Sequence, residues 1–80
     1  MAGMMCKALS SGTDLNTVKD NGMYFIGTNN INSPVSYFYF IVLKTIHNAD
    51  LIQFGFSLLD EHLYKRTYNN GVWSEWKTFG

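Results

Sequence analysis

The stretch Arg66-Thr67-Tyr68-Asn69-Asn70-Gly71-Val72-Trp73-Ser74-Glu75-Trp76 decides the fold class of this chain. It joins two segments, 62–68 and 72–79, that are rich in aromatic and β-branched residues. Asn-Gly between such segments is the strongest short sequence signal for a β-hairpin. The C-terminal part of the chain is therefore predicted to be a hairpin.

The register of this hairpin has two alternatives. A two-residue turn at Asn70-Gly71 would place Tyr68 opposite Trp73. A three-residue loop with a bulge at Gly71 would instead place Tyr64 opposite Trp76. Each register also sets Glu75 opposite a basic residue, so aromatic and ionic pairing do not choose between them.

Further strands are predicted upstream, because apolar and β-branched runs alternate with turn residues. The predicted strands cover residues 23–26, 35–46, 51–59 and 62–68. Turns are predicted at His47-Asn48-Ala49-Asp50 and at Asp60-Glu61, and residues 27–34 form a loop rich in Asn and Ser that closes at Pro34. The predicted fold is all-β: a small antiparallel sheet of about five strands.

One short helical turn precedes these strands. Thr13-Asp14 is predicted to cap it, with Leu15 and Val18 on its buried side. Asp20-Asn21-Gly22 then ends the turn, because Asn and Gly tolerate the left-handed conformation. Residues 1–11 are predicted to be a flexible lead-in, and residues 12–80 to be one β domain.

The side-chain alternation of the two longest strands predicts which face of each is buried. In the segment 35–46 both faces are apolar: one carries Phe38, Phe40, Val42 and Ile46, and the other carries Tyr37, Tyr39, Ile41 and Leu43. The second of these faces needs cover from a second layer or from another subunit, so it is a candidate oligomer face. In the segment 51–59 the inward residues are predicted to be Ile52, Phe54, Phe56 and Leu58, with Gln53, Gly55 and Ser57 outward.

Composition excludes several classes of function. The 80 residues carry a formal net charge of zero, with 16% aromatic and 15% charged residues, so a nucleic-acid surface driven by phosphate contacts is not expected. The longest apolar run, 37–43, is too short to cross a bilayer, and no membrane insertion is expected. His47 and His62 stand apart and Cys6 has no partner cysteine, so no metal, cofactor or catalytic site is expected.

Several short motifs occur together in one order along the chain. They are Gly12-Thr13-Asp14-Leu15-Asn16-Thr17, Gly22-Met23-Tyr24, Asn32-Ser33-Pro34-Val35, Gln53, and the closing stretch 66–76. In this set the chain resembles the pyocin-knob family, small β modules of bacteriophage tail fibres and R-type pyocin fibres. The resemblance covers about residues 12–79, and its closing stretch, with Arg66, Gly71, Trp73 and Trp76, is the most specific part.

The resemblance implies a non-enzymatic module of a homotrimeric fibre, assembled in the bacterial cytoplasm and carried on the virion. It implies attachment to the host through bacterial cell-surface polysaccharide, and it brings no catalytic residues. The alternative is a module that only trimerises or spaces the fibre, and a remote alternative is a small β-barrel that binds single-stranded nucleic acid through Phe54-Gly55-Phe56. In these fibres the module normally lies within a long protein, so the chain is either a fragment of one or a small prophage product.

Candidate contact residues follow from their chemistry. Polar side chains that both donate and accept hydrogen bonds, together with edge tyrosines, suit a sugar surface. The candidates are Asn29, Asn30, Asn32, Tyr64 and Tyr68. Trp73, Trp76, Gly71 and Arg66 are predicted to be scaffold, because a chain this short needs its indole rings to fill the core.

Overall fold

One open mixed β-sheet of seven strands carries the fold. The computed structural model describes residues 6–45 and 50–80. The strands are β1 (Cys6–Ala8), β2 (Gly22–Ile26), β3 (Phe38–Lys44), β4 (Leu51–Ser57), β5 (Leu63–Asn69), β6 (Val72–Trp73) and β7 (Lys77–Phe79). The predicted all-β class is confirmed. Residues 47–49 of the predicted turn at 47–50 lie outside the described residues, as does Ile46 with its predicted face position.

The short helical turn is confirmed as a 3₁₀ helix at Leu15–Thr17. The Asp14 carboxylate accepts a hydrogen bond from the Asn16 backbone N–H, as expected of a capping residue. Leu15 and Val18 are buried against the sheet. The helical turn therefore covers part of one sheet face.

The first strand corrects the predicted lead-in. Residues 6–8 pair in parallel with Met23, Tyr24 and Phe25, so this part of the chain belongs to the sheet. All three side chains of β1 are exposed, and an edge strand without a buried side has no apolar alternation to detect. The sheet is consequently mixed rather than antiparallel.

The hairpin adopts the two-residue register. Tyr68 pairs with Trp73, and Asn70 and Gly71 have φ angles of 55° and 77°, as a type I′ turn requires. Beyond Trp73 the pairing shifts by one residue and forms a bulge. The register of Tyr68 with Trp73 would place Lys65 opposite Trp76, but Lys65 pairs with Lys77. Ser74 bridges this bulge: its Oγ accepts from the Thr67 N–H and its own N–H donates to the Thr67 carbonyl. The bulge divides the predicted segment 72–79 into two strands and leaves Glu75 outside both.

The core lies on one face of the sheet. Phe38, Phe40 and Val42 of β3 are buried there, as predicted. On β4 the prediction was wrong: Gln53, Gly55 and Ser57 are the buried residues, and Ile52, Phe54 and Phe56 face the other way. The register explains the reversal, since Val42, Phe40 and Phe38 pair with Gln53, Gly55 and Ser57 and paired residues share a face. Leu58 lies after the strand and is exposed.

Large side chains on β3 face small or polar ones on β4. Gly55 sits beside Phe40 so closely that a Cβ on Gly55 would overlap the Tyr39 carbonyl oxygen and the Phe40 backbone. Ser57 donates from its hydroxyl to the Ser36 carbonyl at 2.8 Å. The aromatic rings of β3 therefore fill space that larger β4 side chains would compete for.

The face opposite the core, called the open face here, carries three cross-strand rows of side chains. The first row is Ala8, Phe25, Tyr39, Phe56, Leu63 and Phe79. The second row is Cys6, Met23, Ile41, Phe54, Lys65 and Lys77. The third row is Leu43, Ile52 and Thr67. Most of these side chains are apolar.

Candidate functional site

A buried polar network holds the core face together. The Gln53 side chain is fully buried, and its Nε2 donates to the carbonyl oxygens of Leu15 and Val18 at 2.8 and 2.9 Å. Its Oε1 accepts from Arg66 Nε at 2.9 Å. One amide thus satisfies two carbonyls of the helical turn and one guanidinium N–H. This explains why a polar residue occupies a core position of β4.

The tryptophans of the closing stretch enclose the Arg66 guanidinium. Its carbon lies 3.8 Å from the Trp73 ring centroid and 4.8 Å from the Trp76 ring centroid. Both distances are within cation–π range, and Arg prefers such stacking. Burial lowers the pKa of Arg66 to about 10, partly opposed by the Asp14 carboxylate, so the group is still a cation at neutral pH. Arg66 is thus buried, and Trp73 and Trp76 are partly buried against the core.

The asparagine-rich loop, residues 27–33, is held to the N-terminal loop. Asn30 Nδ2 donates to the carbonyls of Ser10 and Thr13 at 3.1 and 3.3 Å. Asn32 Nδ2 donates to the Asp14 carboxylate at 2.8 Å, and this bond is the main cause that lowers the Asp14 pKa. The Asn32 carbonyl accepts from Trp76 Nε1 at 2.8 Å. Two of the three candidate asparagines therefore support the loop itself.

Asn29 is placed differently. Its side chain is exposed, and its backbone φ of 62° is left-handed. Its carbonyl accepts from the Gly12 N–H, so the backbone is engaged while the side chain faces solvent. Of the three candidate asparagines, Asn29 is the one whose amide is presented outward.

The two candidate tyrosines are not edge residues. Tyr64 is only 8% exposed, and its hydroxyl donates to the Asp60 carboxylate at 2.6 Å. That bond raises the pKa of Tyr64 to about 12 and lowers the Asp60 pKa. Tyr68 is half-buried against Trp73, with the Lys19 ammonium 4.3 Å from its ring centroid. The expectation of a wet edge position for Tyr64 is corrected, because β5 directs it into the core.

The candidate oligomer residues fall mainly on the open face. Tyr39, Ile41 and Leu43 lie there as predicted, and Leu43 is 57% exposed. Tyr37 is exposed but precedes β3, with a left-handed φ of 54°, so it is not part of the rows. The strand begins three residues later than the segment predicted to start at Val35.

Sequence reasoning missed the contribution of β4 to the open face. Phe56 is 50% exposed, and its ring stacks with Tyr39 at 5.8 Å between centroids; Tyr39 in turn contacts Phe25 at 4.6 Å. A shallow apolar depression beside this aromatic ladder is lined by Met23, Ile41 and Phe54 among others. The sequence does not reveal the register between β3 and β4. Once Phe40 is paired with Gly55, Gly55 shares the core face with Phe40, and its neighbours Phe54 and Phe56 must lie on the open face.

Residues 6–45 and 50–80 contain no group of three or more His, Cys, Asp or Glu side chains that could hold a metal ion. Within the same ranges no helix is long and apolar enough to span a membrane. His62 lies after Asp60, whose carboxylate accepts from the His62 backbone N–H. His47 is outside the described residues.

The comparisons with known proteins bring no relative: no protein-family model, curated protein or solved structure matches the chain. The resemblance in the short motifs consequently stays a prediction from sequence.

Proposed function

We propose that this chain is a non-enzymatic structural module of a bacteriophage or prophage tail fibre, and that its open face is buried in the assembled fibre. The observation that carries the proposal is the sheet face that no element of residues 6–45 and 50–80 covers. Of its 15 row positions, all but Lys65, Lys77 and Thr67 are apolar. Apolar patches of this kind on small proteins mark interaction surfaces.

The polar network supports a structural rather than an enzymatic role. The Gln53 amide accepts a hydrogen bond from Arg66 Nε inside the core, and the two tryptophans, which pack against the core, cover the Arg66 guanidinium. These residues belong to the motifs in which the chain resembles the pyocin-knob family. The motif thus has a physical reason that is independent of any ligand: it fixes the helical turn to the sheet.

Tail particles of the phage or lysogen that encodes the chain test the proposal. Mass spectrometry of purified particles should detect the chain, and antibodies against it should label the fibres in electron micrographs. Hydroxyl-radical footprinting of intact particles should oxidise Ile31, which is 53% exposed off the rows, but should spare Phe56 of the first row, which is 50% exposed. Absence of the chain from the particles, or equal oxidation of the two side chains there, would refute the proposal.

Attachment to bacterial surface polysaccharide is the second candidate function, favoured by the outward side chain of Asn29. The matched test compares Asn29→Gly with Asn70→Gly, since both residues are exposed and both have left-handed φ angles, 62° and 55°. Glycine keeps each backbone conformation and removes only the amide. Loss of binding to host cells in Asn29→Gly alone would support contact by the loop, and equal binding by both variants would refute it.

A further inference from the structure

The open face is electrically asymmetric. Its charged row members, Lys65 and Lys77, both lie in the second row, on neighbouring strands β5 and β7. The opposite half, on β1 and β2, carries Cys6 and Met23 in that row and Ala8 and Phe25 in the first row. No acidic residue occupies any of the three rows. The face therefore has a lysine-bearing half and a lysine-free half.

The face is large enough for a specific interface. Six strands about 4.8 Å apart and three rows about 7 Å apart span roughly 24 by 14 Å between Cα positions, and somewhat more with the side chains. Two such faces in contact bury roughly 1,000 Å² in total, near the lower limit for a stable biological interface. Sheets also pack face to face about 10 Å apart with interdigitated side chains, which is how a single open layer completes a core.

We propose that the occupant of the open face is a second copy of this chain, with the lysine-bearing half of one copy packed on the lysine-free half of the other. This rests on the proposed function in so far as that function buries the open face, and it gives a two-fold pair in place of the homotrimer that the resemblance implies. The arrangement keeps like charges apart: the row that ends in Lys65 and Lys77 runs in reverse over its counterpart, so Lys77 lies over Cys6 and Lys65 over Met23.

The charge distribution selects this arrangement over the alternative. A packing that superposes the two lysine halves would bring four ammonium groups together without an acidic partner, and such like-charge contacts are costly. In the proposed packing each lysine lays its methylene stem over apolar side chains, and its ammonium reaches the rim of the interface. Ile41 and Phe54, uncharged residues at the centre of the row, then meet each other across the interface.

A cross-linking experiment tests the arrangement. Cys6 is exposed and belongs to the lysine-free edge, and Lys77→Cys places a second thiol at the other edge. Within one copy these two positions are about 24 Å apart across the sheet. A bis-maleimide that reaches about 10 Å, the spacing of packed sheets, can join them only between copies.

The expected product is an intermolecular link between position 6 of one copy and position 77 of another, identified by mass spectrometry of the linked peptides. The unaltered chain, which has Cys6 alone, should give no Cys6–Cys6 product. A dominant Cys6–Cys6 link, a dominant link between two copies of position 77, or no cross-link at high micromolar concentration would overturn the proposal.

Light scattering after size exclusion supplies the second measurement. The chain should elute as an association of copies, and Ile41→Glu at the centre of the second row should shift it to monomer. Ile31→Glu is the matched control, since Ile31 is an exposed isoleucine on the loop side and off the rows; it should leave the association unchanged. A monomeric unaltered chain would refute self-packing even if the particles contain the chain. A chain that associates but is absent from the particles would refute only the fibre assignment.

Discussion

Removal of the Gln53 amide should reveal how much of the fold depends on the polar network. The change is Gln53→Met, which keeps the length of the side chain but neither donates nor accepts as the amide does. It leaves the Val18 carbonyl and the Arg66 Nε–H without the partner that each now has at 2.9 Å, and it removes one of the two donors to the Leu15 carbonyl, which keeps the Val18 N–H. Each buried group left unsatisfied costs about 1–3 kcal/mol.

The expected loss in the free energy of unfolding is about 2–5 kcal/mol, because two buried groups lose their partner and the Leu15 carbonyl loses one of its two donors. A domain of this size has on the order of 5–10 kcal/mol in total, so the variant should lie near the limit of folding. Urea unfolding at one fixed protein concentration, followed by tryptophan fluorescence and circular dichroism, measures the change. A fixed concentration is needed because association of copies would add to the apparent stability.

The matched control is Ile52→Met, one residue away on the open face of the same strand. This control introduces methionine in place of an aliphatic side chain that makes no hydrogen bond. It should change the free energy of unfolding by less than about 1 kcal/mol. A double-mutant cycle with Arg66→Met should give a loss smaller than the sum of the single losses, since the two side chains share one hydrogen bond. A loss below about 1 kcal/mol in Gln53→Met, or strict additivity in the cycle, would contradict the reasoning.

Three further outcomes are expected. Gly55→Ala should cost about 3 kcal/mol through overlap with the β3 backbone, whereas Gly71→Ala should cost about 1 kcal/mol through its φ of 77° alone; equal losses in urea unfolding would contradict this distinction. Because the pKa of Tyr64 is raised from 10.0 to about 12, its contribution to stability is complete below pH 10 and is lost as the pH rises from 10 towards 12, so the urea midpoints of the unaltered chain and Tyr64→Phe should converge over that range. Filter binding to single-stranded oligonucleotides should show no affinity in the micromolar range although Phe54 and Phe56 are on the open face, because the chain is neutral; tight binding that falls steeply with salt would show the opposite.

The candidate surfaces were only partly predictable from sequence. Alternation marked Tyr39, Ile41 and Leu43 as an apolar face in need of cover, and the structure leaves them on the open face. The content of Asn and Ser marked residues 27–33 as a polar loop, but not that Asn30 and Asn32 direct their amides into the N-terminal loop. That difference depends on which segment lies beside the loop, and a local pattern carries no information about neighbours distant in the chain.

The sequence alone determined the features that depend on a few consecutive residues. Asn70-Gly71 dictates the hairpin turn because Asn and Gly accept left-handed φ angles, and Asp14 caps the helical turn because its carboxylate reaches an N–H two residues on. Only the tertiary structure decided which side of β4 is buried. Alternation gives a strand two faces, and the apolar one normally turns inward, but the register with β3 places Gln53 and Gly55 in the core. That choice is stable because Gly55 makes room for the β3 backbone and Gln53 meets its three partners there, two of them contributed by the helical turn far away in sequence.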